Sequence, residues 1–207
     1  WGCNRTVFIG DIIDHHCISF HQKDVDADGV TREADMALKG IQKWYKAFPK
    51  AEVMIGNHDE RVFRLAASVN IPARFIRDYD IVWDTPKWQW KRDTEIDNVH
   101  YFHGTGCTGK MPALNAAKAS MMSTVIGHCH SVAGVKWNCG VNRRVFGMDT
   151  GCGVDINHPS MNYGRNMVNK PVLAAGVVLD GFPYHEIMPM ARGEKYHKSR
   201  FTRKTAK

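Results

Sequence analysis

Four short apolar runs in this sequence each lead directly into a side chain of a type that binds metal ions. They are TVFIG before Asp11, EVMIG before Asn57-His58-Asp59, VHYF before His103, and TVIG before His128-Cys129-His130. Each run is typical of a short buried strand. Ligands in α/β sheets bind just beyond the carboxyl ends of strands, so these side chains are expected to converge at one edge. Oxygen and imidazole donors, with no thiolate required, suit Mn, Fe, Zn or Ni.

Each of these signals is weak when it is taken alone. An Asp that follows a strand commonly serves as a turn residue or a helix cap. A lone His-x-His pair is common on surfaces and in packed cores. Four such sites, each after an apolar strand, favour one shared metal centre over four unrelated turns.

The motifs around these residues also follow a distinctive order. They are Gly10-Asp11-Ile12-Ile13-Asp14, Gly56-Asn57-His58-Asp59-Glu60, His103-Gly104 and Gly127-His128-Cys129-His130. In order and spacing they resemble the signature of the calcineurin-like metallophosphoesterases, and the run as a whole looks most like the small phosphoesterases encoded by bacteriophages. The resemblance spans residues 6 to about 155, where Met148-Asp149-Thr150-Gly151-Cys152 is similar to the strand and turn after the family's last motif.

The resemblance implies a set of metal ligands for one or two divalent ions, with Mn expected first and Zn, Fe or Ni as alternatives. Asp11 would bridge two ions. Asn57, His103 and His128 would complete one site with it, and His130 would belong to the other. A carboxylate is suited to bridging because it offers two oxygens and a negative charge.

The same resemblance implies hydrolysis of phosphate esters, either monoesters or diesters, by a metal-activated hydroxide. A pair of metal ions polarises the phosphoryl oxygens and lowers the pKa of a bound water, which then attacks phosphorus in line. His58 would be the catalytic imidazole that protonates or stabilises the leaving oxygen. Asp59 would orient His58, and Asp14 would lie behind the site.

The sequence departs from the family at its beginning. The family starts with an Asp-x-His motif on an earlier strand, and the ten residues before Asp11 contain neither Asp nor His. We expect that an N-terminal strand and helix precede the given chain, because TVFIG resembles the family's second strand. The alternative is that His15, His16 or His21 supplies the missing ligands. His15 and His16 are otherwise interpreted as loop or substrate-side groups.

Hydrophobic periodicity predicts alternating helices and strands in the first half of the chain and mainly strands in the second. Helices are predicted from Thr31 to about Ala47, over 59–69 and over 113–120, and residues 72–97 are expected to be irregular. Strands are predicted at 6–10, 51–56, 99–102, 124–127, 132–135, 143–148, 172–179 and 184–187. This pattern indicates a layered α/β domain with mixed sheets. Together with the family resemblance, it leads us to expect an α-β-β-α sandwich of two mixed sheets flanked by helices, with the metal site at the carboxyl ends of strands.

Length and composition limit the domain organisation that the chain can have. The chain has 207 residues and a formal charge of +7, and we expect one domain over 1–191 followed by a basic tail over 192–207. That tail is either a solvated terminus or an arm that binds nucleic acid.

No signal peptide or membrane span is predicted from the sequence. The six cysteines contain no Cys-x-x-Cys pair, so we expect reduced thiols. These features predict a cytoplasmic location, which would be in the host cell if a phage encodes the protein.

Two alternatives remain open at this level. Trp83, Trp88 and Trp90, with basic neighbours, form either an aromatic hairpin over the core or a surface on which nucleic-acid bases stack. The chain is either the phosphoesterase described above or a non-catalytic interaction module that retains its fold. The presence of His58 favours the enzyme, whereas the absent first motif favours the module. The oligomeric state is left undetermined.

Overall fold

The computed structural model describes residues 1–20, 29–154 and 168–188, and it is a mixed α/β fold. Within those residues it has four α-helices and three sheets. The helices are α1 Val30–Ala47, α2 Arg61–Ser68, α3 Tyr79–Val82 and α4 Pro112–Ser120. The strands are β1 Val7–Phe8, β2 Ala51–Met54, β3 Trp88–Lys91, β4 Asp93–Ile96, β5 Val99–Phe102, β6 Ser123–Ile126, β7 Ala133–Cys139, β8 Arg144–Thr150, β9 Ala174–Leu179 and β10 Phe182–Ile187. The α/β class expected from the sequence is confirmed.

The first sheet has three parallel strands in the order β1-β2-β3. In its register Val7 lies opposite Glu52, and Phe8 lies opposite Val53. All four residues of β2 are buried, as expected for the central strand of a parallel sheet. Because β1 and β2 run in the same direction, the loops that begin at Gly10 and Gly56 emerge at the same edge.

The second sheet has five strands in the order β4-β5-β6-β8-β7. The three central strands β5, β6 and β8 are parallel, and β4 and β7 pair antiparallel at the two margins. His103 follows β5 directly, and Gly127-His128 follows β6. These loops therefore also share one edge. Strands β9 and β10 form a separate antiparallel hairpin.

Alternation along β1 and β2 gives the first sheet two apolar faces. One face carries Phe8 and Val53, which pack in a cluster with Ile41 of α1. The opposite face carries Ile9 and Met54, which pack with apolar residues of the five-stranded sheet. On the five-stranded sheet, α4 contacts β6 and β8 and buries Ala113 and Ala117. Burial of these clusters is the main favourable term that holds the elements together.

The segment over 72–97 is more regular than expected. It contains α3, all of β4, and the parallel strand β3, which completes the first sheet. Trp83 and Trp88 are only 4% exposed, and the indole N–H of Trp88 donates to the carbonyl of Phe48 at 2.8 Å. The expectation of an irregular segment is therefore wrong. Trp83 and Trp88 lie in the core, where they cannot stack on nucleic-acid bases.

Three further expectations concern the basic tail, the cysteines and membrane-spanning helices. The basic tail over 192–207 and His21 lie outside the described residues. All six cysteines are within them, and none forms a disulfide. Among the helices of the described ranges, none combines the length and apolarity that crossing a bilayer requires.

Candidate metal centre

The candidate centre forms where loops from the two sheets meet. Asp11 follows β1 with a positive φ of 53°, and His128 follows β6 with a φ of 57°. Such left-handed backbone is uncommon outside glycine and is concentrated at functional sites, where surrounding contacts hold it in place. At Gly56, an added Cβ would lie 2.1 Å from Oδ1 of Asp11, so only glycine allows this approach of the two loops.

Three potential donor atoms converge on a fourth, Nε2 of His103. Its Nε2 lies 3.1 Å from Oδ2 of Asp11, 3.1 Å from Oδ1 of Asn57 and 3.2 Å from Nδ1 of His128. Donor atoms of Asp11, His103 and His128 all lie within 4.8 Å of one another. The structure thus brings together the four residues that the sequence placed in one metal site.

The tautomer of His103 makes this arrangement suitable for a cation. Its Nδ1 lies 2.7 Å from the carbonyl oxygen of Ile9, a contact in which Nδ1 must donate. In the neutral ring Nε2 then carries a lone pair, as a metal-binding imidazole requires. That lone pair would face the oxygens of Asp11 and Asn57, which are acceptors too. A positive charge is needed among them, either a proton on His103 or a metal ion.

Burial and neighbouring charges shift the pKa values of the donor groups and so determine which of them are charged. Burial raises the pKa of Asp11, but its contacts with His103 and His58 outweigh this and hold it below its usual value. Burial lowers the pKa of His103, yet the hydrogen bond and charge of Asp11 raise it overall. The pKa of His128 is lowered by burial and by the charge on His103. A carboxylate and a neutral imidazole are therefore present at neutral pH, as metal ligation requires.

His130 lies apart from this cluster while lining the same cavity. It is half-buried, and burial lowers its pKa while the charge of Asp11 raises it. Among the residues that the structure describes, it does not join the converging group of Asp11, His103 and His128. A second site made by Asp11 and His130 stays a prediction.

His58 is held by two neighbours. Its Nδ1 lies 2.7 Å from Oδ1 of Asp14, and its Nε2 lies 3.2 Å from Nη2 of Arg61. Since a guanidinium can only donate, Nε2 accepts and Nδ1 donates to Asp14. The backbone N–H of His58 donates to Oδ1 of Asp11 at 2.8 Å, and Nε2 of the ring lies 3.8 Å from Oδ2 of the same carboxylate, so the imidazole lies beside the donor cluster.

Arg61 is the one member of this group that sequence reasoning missed. Its side chain is buried, and it also donates to the carbonyl and the carboxylate of Asp14. It follows His58 by three residues, at the start of α2, so helical geometry returns its side chain to the loop. That spacing is the signal by which it could have been found.

Asp59 has a different position from the one expected. Its carboxylate is fully buried and accepts N–H groups of Asp11 and Gly56 through Oδ2, and of Ile12 and Ile13 through Oδ1, at 2.8–3.3 Å. Burial raises its pKa to about 6 despite these bonds. It is Asp14 that contacts the imidazole of His58, so the expected pairing of Asp59 with His58 is corrected. Asp59 holds the Asp11 loop against the Gly56 loop.

His15 and His16 lie beside the centre and outside the donor cluster. The ring of His15 is 6.0 Å from that of Trp83, and burial lowers its pKa while the charge of Glu33 raises it. The Nδ1 of His16 is 4.0 Å from Oδ2 of Asp14, and its buried Nε2 has no hydrogen-bond partner among the described residues. His16 lines the cavity, which suits the substrate-side role.

Comparison with known proteins adds no family to this description. No family model matches the sequence, and no curated protein matches it at a significant level. The interpretation of the centre therefore depends on the geometry of its own side chains.

Proposed function

We propose that this protein is a metal-dependent phosphoesterase. The observation that carries the proposal is the convergence of Asp11, Asn57 and His128 on Nε2 of His103, with Nε2 of His58 3.8 Å from Oδ2 of Asp11. One carboxylate, one amide oxygen and two imidazoles are ligands that Mn, Zn, Fe and Ni accept. Mn is proposed first, on the resemblance of the motifs.

A bound divalent ion would supply a Lewis acid for a phosphoryl oxygen and lower the pKa of a water. The protein's own groups supply orientation and proton transfer. Asp11 would provide the charge that balances the ion, and Asn57 would present a neutral oxygen. The hydrogen bond from Nδ1 of His103 to Ile9 fixes which nitrogen faces the centre.

His58 is the proposed proton-transfer group for the leaving oxygen. The bond to Asp14 fixes its ring orientation and stabilises the ring when it carries a proton. Nη2 of Arg61 donates to Nε2 of His58 at 3.2 Å. Substrate binding would replace this contact with one between Nε2 and the ester oxygen. His16 lines the same cavity and would meet the non-reacting part of the substrate.

The arrangement of layers belongs to the same proposal. Helix α1 packs on one face of the three-stranded sheet, and the other face meets the five-stranded sheet, on which α4 packs. An α-β-β-α order accounts for these contacts. It would place the strand ends that carry the four donors at one edge, where the two sheets adjoin.

Hydrolysis of p-nitrophenyl phosphate and of bis(p-nitrophenyl) phosphate, each with Mn, Ni, Zn or Fe, tests the proposal. Asp11→Ala should abolish both metal binding and turnover, because it removes the central ligand. His58→Ala should keep the metal and lower turnover by about 10²-fold or more, the scale of general acid–base help.

Metal content measured by mass spectrometry separates the outcomes. Folded protein that binds metal and hydrolyses neither ester with any of the four ions would instead support a non-catalytic module. Loss of the metal in His58→Ala would show that this imidazole is a ligand, in contradiction of its proposed role.

A further inference from the structure

Three aromatic rings form a row where strand β10 meets strand β7. Trp137 lies on β7, a marginal strand of the five-stranded sheet, and Phe182 and Tyr184 lie on β10. The ring centroids of Trp137 and Phe182 are 5.4 Å apart, and those of Phe182 and Tyr184 are also 5.4 Å apart. Both distances lie within the range of about 4.5–7 Å that is typical of interacting aromatic pairs. We call these three residues the aromatic row.

Strand geometry holds the aromatic row in place. Phe182 and Tyr184 are two residues apart and project from the same face of β10, whereas Pro183 between them is buried. Trp137 lies opposite Phe146 in the register of β7 and β8, and the two rings are 5.3 Å apart. Because Phe146 is fully buried, Trp137 is fixed against the core at one end of the row.

The aromatic row is accessible to solvent, although its side chains are large and apolar. Trp137 is 37% exposed, Phe182 is 44% exposed and Tyr184 is 37% exposed. Tyr184 keeps this exposure although the ring of Trp1 lies 5.0 Å from it. Exposed apolar surface costs free energy in proportion to its area, and contiguous patches of it mark binding sites. The row is therefore a candidate binding surface, and the charges around it indicate its partner.

The hairpin of β7 and β8 gives the aromatic row a positive border. The guanidinium carbon of Arg144 lies 4.7 Å from the centre of the Trp137 ring. The one acidic residue of this hairpin, Asp149, is buried, and the hairpin of β9 and β10 has one exposed acidic residue, Asp180. The exposed cations of the β7–β8 hairpin are Lys136, Arg143 and Arg144. Aromatic faces beside cations suit a partner that offers both flat rings and negative charge.

We propose that the aromatic row binds single-stranded nucleic acid, with bases stacked on the rings and phosphates paired with the cations of the β7–β8 hairpin. Every base has a π-face, so stacking on Trp, Phe and Tyr does not depend on the base sequence. Arg and Lys supply the attraction to the phosphate backbone. A duplex keeps its bases stacked on one another and offers the row only phosphates. None of the three rings lines the cavity of the metal centre, so this binding is independent of the proposed hydrolysis.

Fluorescence anisotropy with a short labelled oligo-dT strand tests this inference, in EDTA so that no metal-dependent reaction takes part. Every variant keeps all 207 residues, so any binding by the basic tail is the same in each. Phe182→Ala should raise Kd by at least about fivefold, the scale of losing one stacked base. Phe75→Ala is the matched control, because Phe75 is 69% exposed and has the guanidinium carbon of Arg74 5.3 Å from its ring centre, outside the row. It should leave Kd unchanged.

Arg144→Gln decides the question if Phe182→Ala does not fold, because Arg144 is exposed. It should reduce the slope of log Kd against log salt concentration by about 0.7, the value for one lost phosphate contact to a single strand. Arg74→Gln should leave that slope as in the wild type. An unchanged slope in Arg144→Gln would overturn the inference. So would equal losses of affinity in Phe182→Ala and Phe75→Ala, or wild-type protein that binds a duplex of equal charge as tightly as the single strand.

Discussion

Nδ1 of His58 and Oδ1 of Asp14 are 2.7 Å apart, and 44 residues of sequence separate them. Asp14 lies in the loop after β1, and His58 lies in the loop after β2. The two loops meet because β1 and β2 are parallel neighbours. This pair, rather than His58 with Asp59, sets the orientation of the proposed catalytic imidazole.

Asp14→Asn should therefore lower kcat by about 10²-fold, because the ring loses its orienting and charge-stabilising partner. KM and metal content should change little, since Asp14 is not among the converging donors. Steady-state kinetics with a chromogenic ester and Mn²⁺ measures both constants. Asp93→Asn is the matched control, because Asp93 contacts His100 at 3.7 Å and does not line the cavity. An equal loss of kcat in both variants would contradict the assigned role.

Gly56→Ala should weaken metal binding by about 10–100-fold, because the new methyl group would displace the carboxylate of Asp11 from which it lies 2.1 Å. Gly40→Ala is the control: it lies inside α1 with no atom within 4 Å of an added Cβ. It should instead raise the free energy of unfolding by about 0.5–1 kcal/mol. Calorimetric metal titration and thermal melts of both variants give the two quantities. Native metal affinity in Gly56→Ala would show that the two loops can separate at little cost.

The contribution of Asp149 to stability should fall as pH rises from about 4 to about 6 in metal-free protein. Burial raises the pKa of Asp149 from 3.8 to about 6, so in this window its carboxyl binds a proton in the folded state that it has lost in the unfolded state. This contribution decreases with increasing pH and levels off above about 6. At about 1.4 kcal/mol for each pKa unit, the loss is on the order of 3 kcal/mol.

Asp149→Asn checks this assignment. The amide keeps an acceptor for the N–H of Ala113 and has no charge to bury, so part of the slope between pH 4 and pH 6 should disappear. The rest should remain, because burial also raises the pKa of Asp59 to about 6. Urea unfolding at several pH values, with EDTA present, measures the slope. A variant whose curve follows that of the wild type would exclude Asp149 as its source.

Metal titration should reveal unequal sites. Asp11, Asn57, His103 and His128 are already gathered, whereas the second site has only Asp11 and His130 from the matched motifs. Two protein ligands leave an ion mostly coordinated by water, so this site should be weak and exchangeable. Activity should then increase with Mn²⁺ well beyond one equivalent. Two tight, equivalent sites in calorimetry would contradict this and indicate further ligands from the loop after Asp11.

The convergence of Asp11, Asn57, His103 and His128 could be anticipated because each follows an apolar run, and parallel strands place such positions at one edge. The separate roles of Asp14 and Asp59 could not be anticipated, since both are acidic residues close to His58 or Asp11 in the motifs. Which carboxylate faces the ring and which faces backbone N–H groups depends on how two loops pack.

Strand β3 was missed for a related reason. Its sequence, WQWK, has no long apolar run, and it follows a segment with turn residues. It becomes a strand through its parallel pairing with β2, from Ala51 opposite Trp88 to Met54 opposite Lys91. Strand propensity depends on such tertiary partners more than on the local residues.

The origin of the four donors has a mechanical consequence. Asp11 and Asn57 follow strands of the three-stranded sheet, and His103 and His128 follow strands of the five-stranded sheet. Within residues 1–20, 29–154 and 168–188 the two sheets share no strand pairing, so an ion held by all four side chains would be a cross-link between them. Any force or fluctuation that separates the sheets would then have to break coordination bonds, and occupancy of the centre would set how far the interior can open.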